Sequence, residues 1–206
     1  MNGSHALTVA ERAATTAWSL RVRRVGGFIQ VAFAAFWLIR GSFNLGGGVA
    51  PALALASTAA VIAVVAYGVR VTTGTAPRPV SPEGRHIERA VTVATVLQLV
   101  ASFAAPAIVI AAGRSDWTLP AIAITIGPLL LWLDHRVDVP RYRPAGVVLI
   151  VGPLVLVAAM SGNALAATTG IASGTILLAT ATGGFRDLAR TPVPAREPLV
   201  ETRIRR

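Results

Sequence analysis

The sequence contains no cysteine among its 206 residues, and because all 19 basic side chains are arginine, it contains no lysine either. Without cysteine there can be no disulfide, no thiolate nucleophile and no cysteine-ligated zinc or iron–sulfur site. Without lysine no Schiff base can hold retinal or pyridoxal phosphate. None of the three histidines falls inside an apolar run, which also argues against haem held between helices. We therefore predict no cofactor.

Charge is also scarce, since only 14% of the residues are charged, against about a quarter in an ordinary soluble domain. Hydrophobic residues make up 54% of the chain, and the mean hydropathy is +0.65. This composition argues against a soluble enzyme, a nucleic-acid-binding module and a disordered chain. The formal net charge is nevertheless +10, and the position of the arginines has to explain it.

Long apolar runs account for most of the chain. A helix needs about 17–25 apolar residues to cross a bilayer core. Six segments qualify, namely residues 25–41, 49–69, 90–112, 117–133, 144–160 and 164–183, and Arg40 is the only charged residue in them. Their residues do not alternate between apolar and polar as the strands of a lipid-facing barrel do. The predicted fold class is therefore all-α, a polytopic bundle of six transmembrane helices over residues 25–183.

The arginines alternate between the two sides of such a bundle. Seventeen of the 19 lie in the N-terminal tail, the second and fourth connectors and the C-terminal tail. By the positive-inside rule these parts are cytoplasmic, and six spans place both termini on that side. We predict a multi-pass protein of a bacterial cytoplasmic (inner) membrane.

The two tails are predicted to contact lipid. Residues 1–24 form a cytoplasmic tail in which 8–23 read as a short interfacial helix, with Thr8 and Glu11 spaced as a capping box. Residues 184–206 read as a flexible basic tail. We expect these segments to bind anionic headgroups, and we expect no nucleic-acid partner. The arginines assigned to this contact are Arg21, Arg23, Arg24, Arg203, Arg205 and Arg206.

Polar residues inside a membrane helix are the first candidates for a binding site. Gln30 and Gln98 lie at similar depths in the first and third spans, so they could bind a ligand together or hydrogen-bond between helices. Pro106 and Pro128 lie near mid-membrane and could bend helices around a cavity, although proline is also tolerated in membrane helices. These four residues are the candidate ligand-binding residues.

Small residues recur every four positions in the sixth span, at Ala166, Gly170 and Gly174. Such spacing lets two helices approach closely. It predicts tight packing inside the bundle, with self-association of two copies as the alternative.

Charged residues near the span ends suggest two further contacts. Arg40 and Asp116 could pair at the outer surface, as an ion pair that contributes little. His86 and His135 could meet near the cytoplasmic side and suggest a metal, but a solvated loop is favoured, and we predict no metal site. Trp37 and Trp117 are predicted to lie at the outer interface, where amphipathic rings settle, with a role as bulky core residues as the alternative.

One stretch resembles a known pattern. Residues 121–152 resemble a segment of uncharacterised bacterial six-helix membrane proteins, in which a short turn with arginine and tyrosine joins two helices. Gly127, Tyr142 and Gly146 carry the resemblance, which covers about a sixth of the chain. It implies the six-helix fold but no activity, and the alanine-, valine- and arginine-rich composition is typical of actinobacteria.

Three functions are compatible with these features. The first is a membrane protein that binds or passively moves a neutral or apolar small molecule or lipid. The second is a structural or accessory subunit of a larger membrane complex, in contact with a membrane-protein partner or with further copies of itself. The third is an intramembrane enzyme, for which the spans contain no visible acid, base or nucleophile set.

Overall fold

Six long helices make up the computed structural model, which describes residues 9–72, 82–137 and 141–190, with side chains described for 24–72, 88–89, 91–135 and 141–190. All six are long and apolar enough to cross a membrane, so the predicted all-α fold with six spanning helices is confirmed at that level. A single 3-10 turn, Ser115–Trp117, precedes the fourth helix. The helices are α1 (Val9–Asn44), α2 (Val49–Val71), α3 (Pro82–Ala111), α4 (Thr118–Val137), α5 (Tyr142–Ala159) and α6 (Gly162–Arg190).

The N-terminal segment does not form a separate interfacial helix. Helix α1 runs for 36 residues from Val9 without a break, and its membrane-compatible part begins at Arg24. Residues 9–23 contain neither proline nor glycine to interrupt the hydrogen-bond ladder, which explains the continuity. A helix of that length is about 54 Å long, which is more than the thickness of the bilayer core.

The last helix also extends further than the sequence indicated. Helix α6 continues to Arg190, so residues 184–190 are helical and do not belong to a flexible tail. Phe185 and Asp187, which the sequence had placed in the tail, lie in this last part of the helix. The remaining tail, residues 191–206, lies outside the described residues and includes Arg203, Arg205 and Arg206.

Two helix pairs form the centre of the bundle. Helix α1 makes its most extensive contact with α6, and α4 makes its most extensive contact with α5. Helix α2 packs against α1 and α6, whereas α3 packs against α4. The main core cluster lies where α1, α4, α5 and α6 meet, and a second cluster joins α1, α6 and α2. The interior is thus organised around α6, half of whose span is buried.

Glycine ends the third helix in a way that its sequence explains. Gly113 adopts a φ of 74°, a left-handed conformation that suits glycine. Its N–H donates to the carbonyl of Ile110, and the N–H of Arg114 donates to that of Val109, which is a Schellman motif. The chain then turns directly into the 3-10 turn before α4. This tight connection holds α3 and α4 side by side.

Candidate functional site

The amide of Gln98 joins two helices. Its Nε2 donates to Ser102 Oγ at 2.9 Å on the same helix and to Thr125 Oγ1 at 3.3 Å on α4. The hydroxyl of Thr125 in turn donates to the carbonyl of Ile122 at 2.7 Å. Gln98 is 7% exposed, and its donors are used inside the protein. The arrangement is that of an interhelical hydrogen bond.

The amide of Gln30 is in a different situation. Gln30 lies on α1 and is 7% exposed; no hydrogen bond of its amide is found among the described residues, and its amide atoms are not fully enclosed. It does not pair with Gln98, which bonds within α3 and to α4, while α1 packs against α6 and α2. The two glutamines therefore do not form one site. The amide nitrogen of Gln98 donates within the protein, whereas no hydrogen bond is found for the amide nitrogen of Gln30 among the described residues.

The prolines do not line a common interior. Pro128 is exposed on the surface of α4, and Pro106 is only partly buried on α3. Pro153, in α5, is buried. The three prolines thus have different surroundings. Neither Pro106 nor Pro128 is brought together with Gln30.

The small residues of α6 pack against α1. A Cβ added at Gly170 would lie 2.6 Å from Gly41 Cα and 3.0 Å from the carbonyl oxygen of Trp37. One added at Gly174 would lie 2.9 Å from the backbone nitrogen of Leu38. Ala166 packs against the main core cluster. The glycine face of α6 is therefore filled by another helix of the same chain.

A second close approach was not anticipated. A Cβ added at Gly127 would lie 2.7 Å from the carbonyl oxygen of Gly146, and one added at Gly146 would lie 2.8 Å from the carbonyl oxygen of Gly127. These are two of the three residues that carry the resemblance noted above. The pair brings the backbones of α4 and α5 into contact. Because the two glycines do not form a repeat within one helix, spacing alone could not have revealed the contact.

The interior holds two polar groups that sequence reasoning missed. Trp37 is completely buried in the main core cluster, so its predicted position at the outer interface is wrong. Its indole Nε1 has no hydrogen-bond partner, and neither has the hydroxyl of Thr169, which is also completely buried. The sequence signal was weak, because tryptophan is common at interfaces and threonine is common in membrane helices.

Charged side chains lie at the ends of the helices. In the six membrane-compatible segments every charged residue falls within five residues of one end. At one end, Arg141 forms a bidentate pair with Asp187, both hydrogen bonds being 2.8 Å long. The hydrogen bond to Asp187 raises the pKa of Arg141, burial opposes it, and the charge of Asp187 adds to the rise. The pair fastens the start of α5 to the end of α6.

At the opposite end of the bundle the predicted Arg40–Asp116 pair is not formed among the described residues. Arg40 is exposed, while Asp116 accepts a hydrogen bond at 3.3 Å from the backbone N–H of Gly162. A carboxylate at the first residue of α6 is stabilised by the helix dipole. Arg114 stacks on Trp117, with its guanidinium carbon 4.3 Å from the ring centre. Asp116 and Arg114 are thus each used in a local surface contact.

The residues predicted to contact lipid, and the histidines considered for a metal, fall mainly outside what is described. Arg21 and Arg23 belong to the helical backbone of α1, but their side chains are not described. The side chain of His86 is likewise not described. Within the described ranges no group of three histidine, aspartate or glutamate residues could hold a metal ion.

Comparison with known proteins gives no match: no family model, curated protein or solved structure is detectably similar to the chain. The resemblance of residues 121–152 to uncharacterised six-helix proteins therefore stays a prediction. Any function has to be argued from the residues of the bundle itself.

Proposed function

We propose that the protein binds a neutral or apolar small molecule, or a lipid, between its helices, and that any movement of this molecule is passive. The observation that carries the proposal is the amide of Gln30, a residue that is only 7% exposed, for which no hydrogen bond is found among the described residues and whose amide atoms are not fully enclosed by the protein. Buried polar side chains are normally hydrogen-bonded, and an unpaired amide within a membrane bundle can bind a carbonyl or hydroxyl. Because charged residues lie only near the span ends, the ligand is neutral at this depth.

Replacing Gln30 with leucine is expected to lower the fraction of protein that carries the bound molecule, while the fold is kept. Losing one hydrogen bond to the ligand corresponds to about a fivefold to tenfold lower occupancy. Native mass spectrometry of the protein purified in mild detergent measures the fraction that carries a co-purified neutral molecule. A bound fraction that is equal in Gln30→Leu and wild type, or absent from the wild type, contradicts the proposal.

Gln98→Leu is the matched control, since it removes the same side chain at a similar exposure. Its amide donates to Ser102 and Thr125, so the change should lower the stability of the bundle by about 1 kcal/mol and leave the bound fraction unchanged. The two variants thus separate ligand binding from helix–helix hydrogen bonding.

We further propose the orientation that the arginines indicate. Both termini would be cytoplasmic in a bacterial, plausibly actinobacterial, inner membrane, with the basic tails against anionic headgroups. The Arg141–Asp187 pair and Arg24 would then lie on the cytoplasmic side, and Asp116 and Arg114 on the other. The support for this orientation is the distribution of arginine along the chain.

A second candidate function, an accessory subunit of a larger membrane complex, is favoured by the exposure of α2. Only 11% of its membrane-compatible segment is buried, as in α3, against 50% for α6, so it is the pattern of its exposed residues that distinguishes α2. Its exposed residues include a series of alanines whose spacing alternates between four and three, as at a helix–helix contact. These are Ala52, Ala56, Ala59, Ala63 and Ala66.

A single cysteine at Ala59 tests this candidate, because the protein has no cysteine of its own. If α2 contacts another helix in the membrane, Ala59→Cys that carries a thiol-linked benzophenone should on irradiation bond covalently to that helix and give a band larger than the monomer. Leu97→Cys, on the exposed face of α3, is the control that should stay monomeric. The absence of a larger band from Ala59→Cys in isolated membranes would count against a partner at this face.

A further inference from the structure

Trp37 and Thr169 are the two described residues whose buried side-chain donors have no partner in the protein. Both side chains are completely buried. The indole N–H can only donate, while the threonine hydroxyl can donate and accept. Protein interiors rarely leave such groups unpaired, because the loss of hydration is then uncompensated.

The hydroxyl of Thr169 is completely buried but is not satisfied within its own helix, unlike those of three other threonines of α6. Thr175, Thr180 and Thr182 of α6 each donate to the carbonyl four residues earlier, at 2.7 Å. This back-bond is the usual way in which a threonine satisfies its hydroxyl inside a helix. Thr169 has the carbonyl of Leu165 at the same spacing but does not bond to it. Its hydroxyl is therefore left available to another group.

The two donors belong to the same part of the interior. Trp37 is a member of the main core cluster, against which Ala166 and Ile176 of α6 pack. Thr169 is three residues after Ala166 and seven before Ile176, so it shares their face of the helix. The carbonyl oxygen of Trp37 is also only 3.0 Å from the position of a Cβ on Gly170, the residue next to Thr169.

We propose that Trp37 and Thr169 form a binding site for a neutral oxygen acceptor within the α1–α6 contact. The acceptor would receive hydrogen bonds from the indole N–H and from the threonine hydroxyl. Since the buried polar side chains among the described residues include no charged one, a carboxylate or phosphate would have no counter-charge there. The site adds to the function proposed above without requiring it, because a water molecule and the carbonyl or hydroxyl of an organic molecule offer the same acceptor chemistry.

The sign of a stability change tests the site. Thr169→Val keeps the shape and removes the hydroxyl, so it should lower the melting temperature in detergent by about 3 °C if the hydroxyl binds an acceptor. If the hydroxyl is unpaired, the same change should leave the melting temperature unchanged or raise it, which would overturn the proposal. Thr175→Val, on the exposed side of α6, is the control and should have little effect.

The indole resonance of Trp37 identifies the acceptor. In the spectrum of ¹⁵N-tryptophan-labelled protein, Trp37→Phe assigns the Trp37 signal among the four tryptophans, and Thr169→Val should shift it. A cross-peak from this indole proton to water assigns the site to water, whereas an added mass lost with Thr169→Val assigns it to an organic molecule. If Trp37→Phe fails to fold, single phenylalanine substitutions of Trp18, Trp117 and Trp132 assign the Trp37 resonance by elimination. If that resonance is unmoved by Thr169→Val and shows neither contact, the site is refuted. A water cross-peak without any added mass supports this site while contradicting the binding proposed for Gln30.

Discussion

Replacing Gly170 with alanine is expected to lower the free energy of unfolding by about 3 kcal/mol. The added Cβ would lie 2.6 Å from the Cα of Gly41 and 2.9 Å from its nitrogen. The carbonyl oxygen of Trp37 would be only 3.0 Å away. All three are backbone atoms of α1, so no side chain can rotate to make room. The two central helices must move apart, and the contacts along their whole length weaken.

Gly184→Ala is the matched control for this prediction. It lies on the same helix, and a Cβ there would meet nothing within 4 Å. Since alanine favours a helix over glycine by about 0.8–1 kcal/mol, this change should be neutral or slightly stabilising. Unfolding of both variants in a graded mixture of mild and denaturing detergent compares the two effects. Equal stability of Gly170→Ala and Gly184→Ala would show that α1 and α6 are not in close contact at Gly170.

This pair of glycines shows where sequence reasoning stops. The spacing of Ala166, Gly170 and Gly174 indicated that another backbone comes close, which is a property of one helix. It did not indicate that the partner is Gly41, because partner choice depends on which helices are neighbours in space. Charge scarcity and apolar runs determine the number of spanning helices, since any alternative would bury charge in lipid.

The same distinction applies to the polar residues. The sequence drew attention to Gln30 and Gln98 because amides are rare in membrane helices, and it weighed ligand binding against helix packing. The two amides differ in their hydrogen bonding because Ser102 and Thr125 are within reach of Gln98. Trp37 was misplaced for a related reason, since a tryptophan near a helix end suits an interface as well as a core. Its burial follows from its neighbours on α4, α5 and α6.

The second large effect is expected at Phe185, which the sequence had assigned to a flexible tail. Its side chain is completely buried, and its ring lies between two glycines of different helices. A Cβ on Gly27 of α1, or on Gly68 of α2, would lie 2.7 Å from the ring. The ring of Phe28 packs against it with centroids 5.0 Å apart. Phe185 therefore fills the space where α6 meets α1 and α2.

Phe185→Ala is expected to lower the free energy of unfolding by about 3 kcal/mol, because it leaves a cavity between three helices. Part of the usual hydrophobic loss is absent in a membrane, where the unfolded helices remain in lipid, but the lost packing contacts are not replaced. Phe103→Ala is the control, since that ring is 72% exposed and its removal should change stability by less than about 0.5 kcal/mol. Detergent unfolding curves again provide the measurement.

A double substitution tests the cause of that effect. In the wild-type protein Gly68→Ala should destabilise the bundle, because the three nearest atoms to the added methyl group all belong to the Phe185 ring. In Phe185→Ala the same methyl group enters the cavity and should restore about 1 kcal/mol of stability. The two changes should therefore be strongly non-additive, as expected for residues in direct contact. Additive effects would mean that the ring of Phe185 does not occupy the space beside Gly68, and that α6 does not hold α2 against α1 in this way.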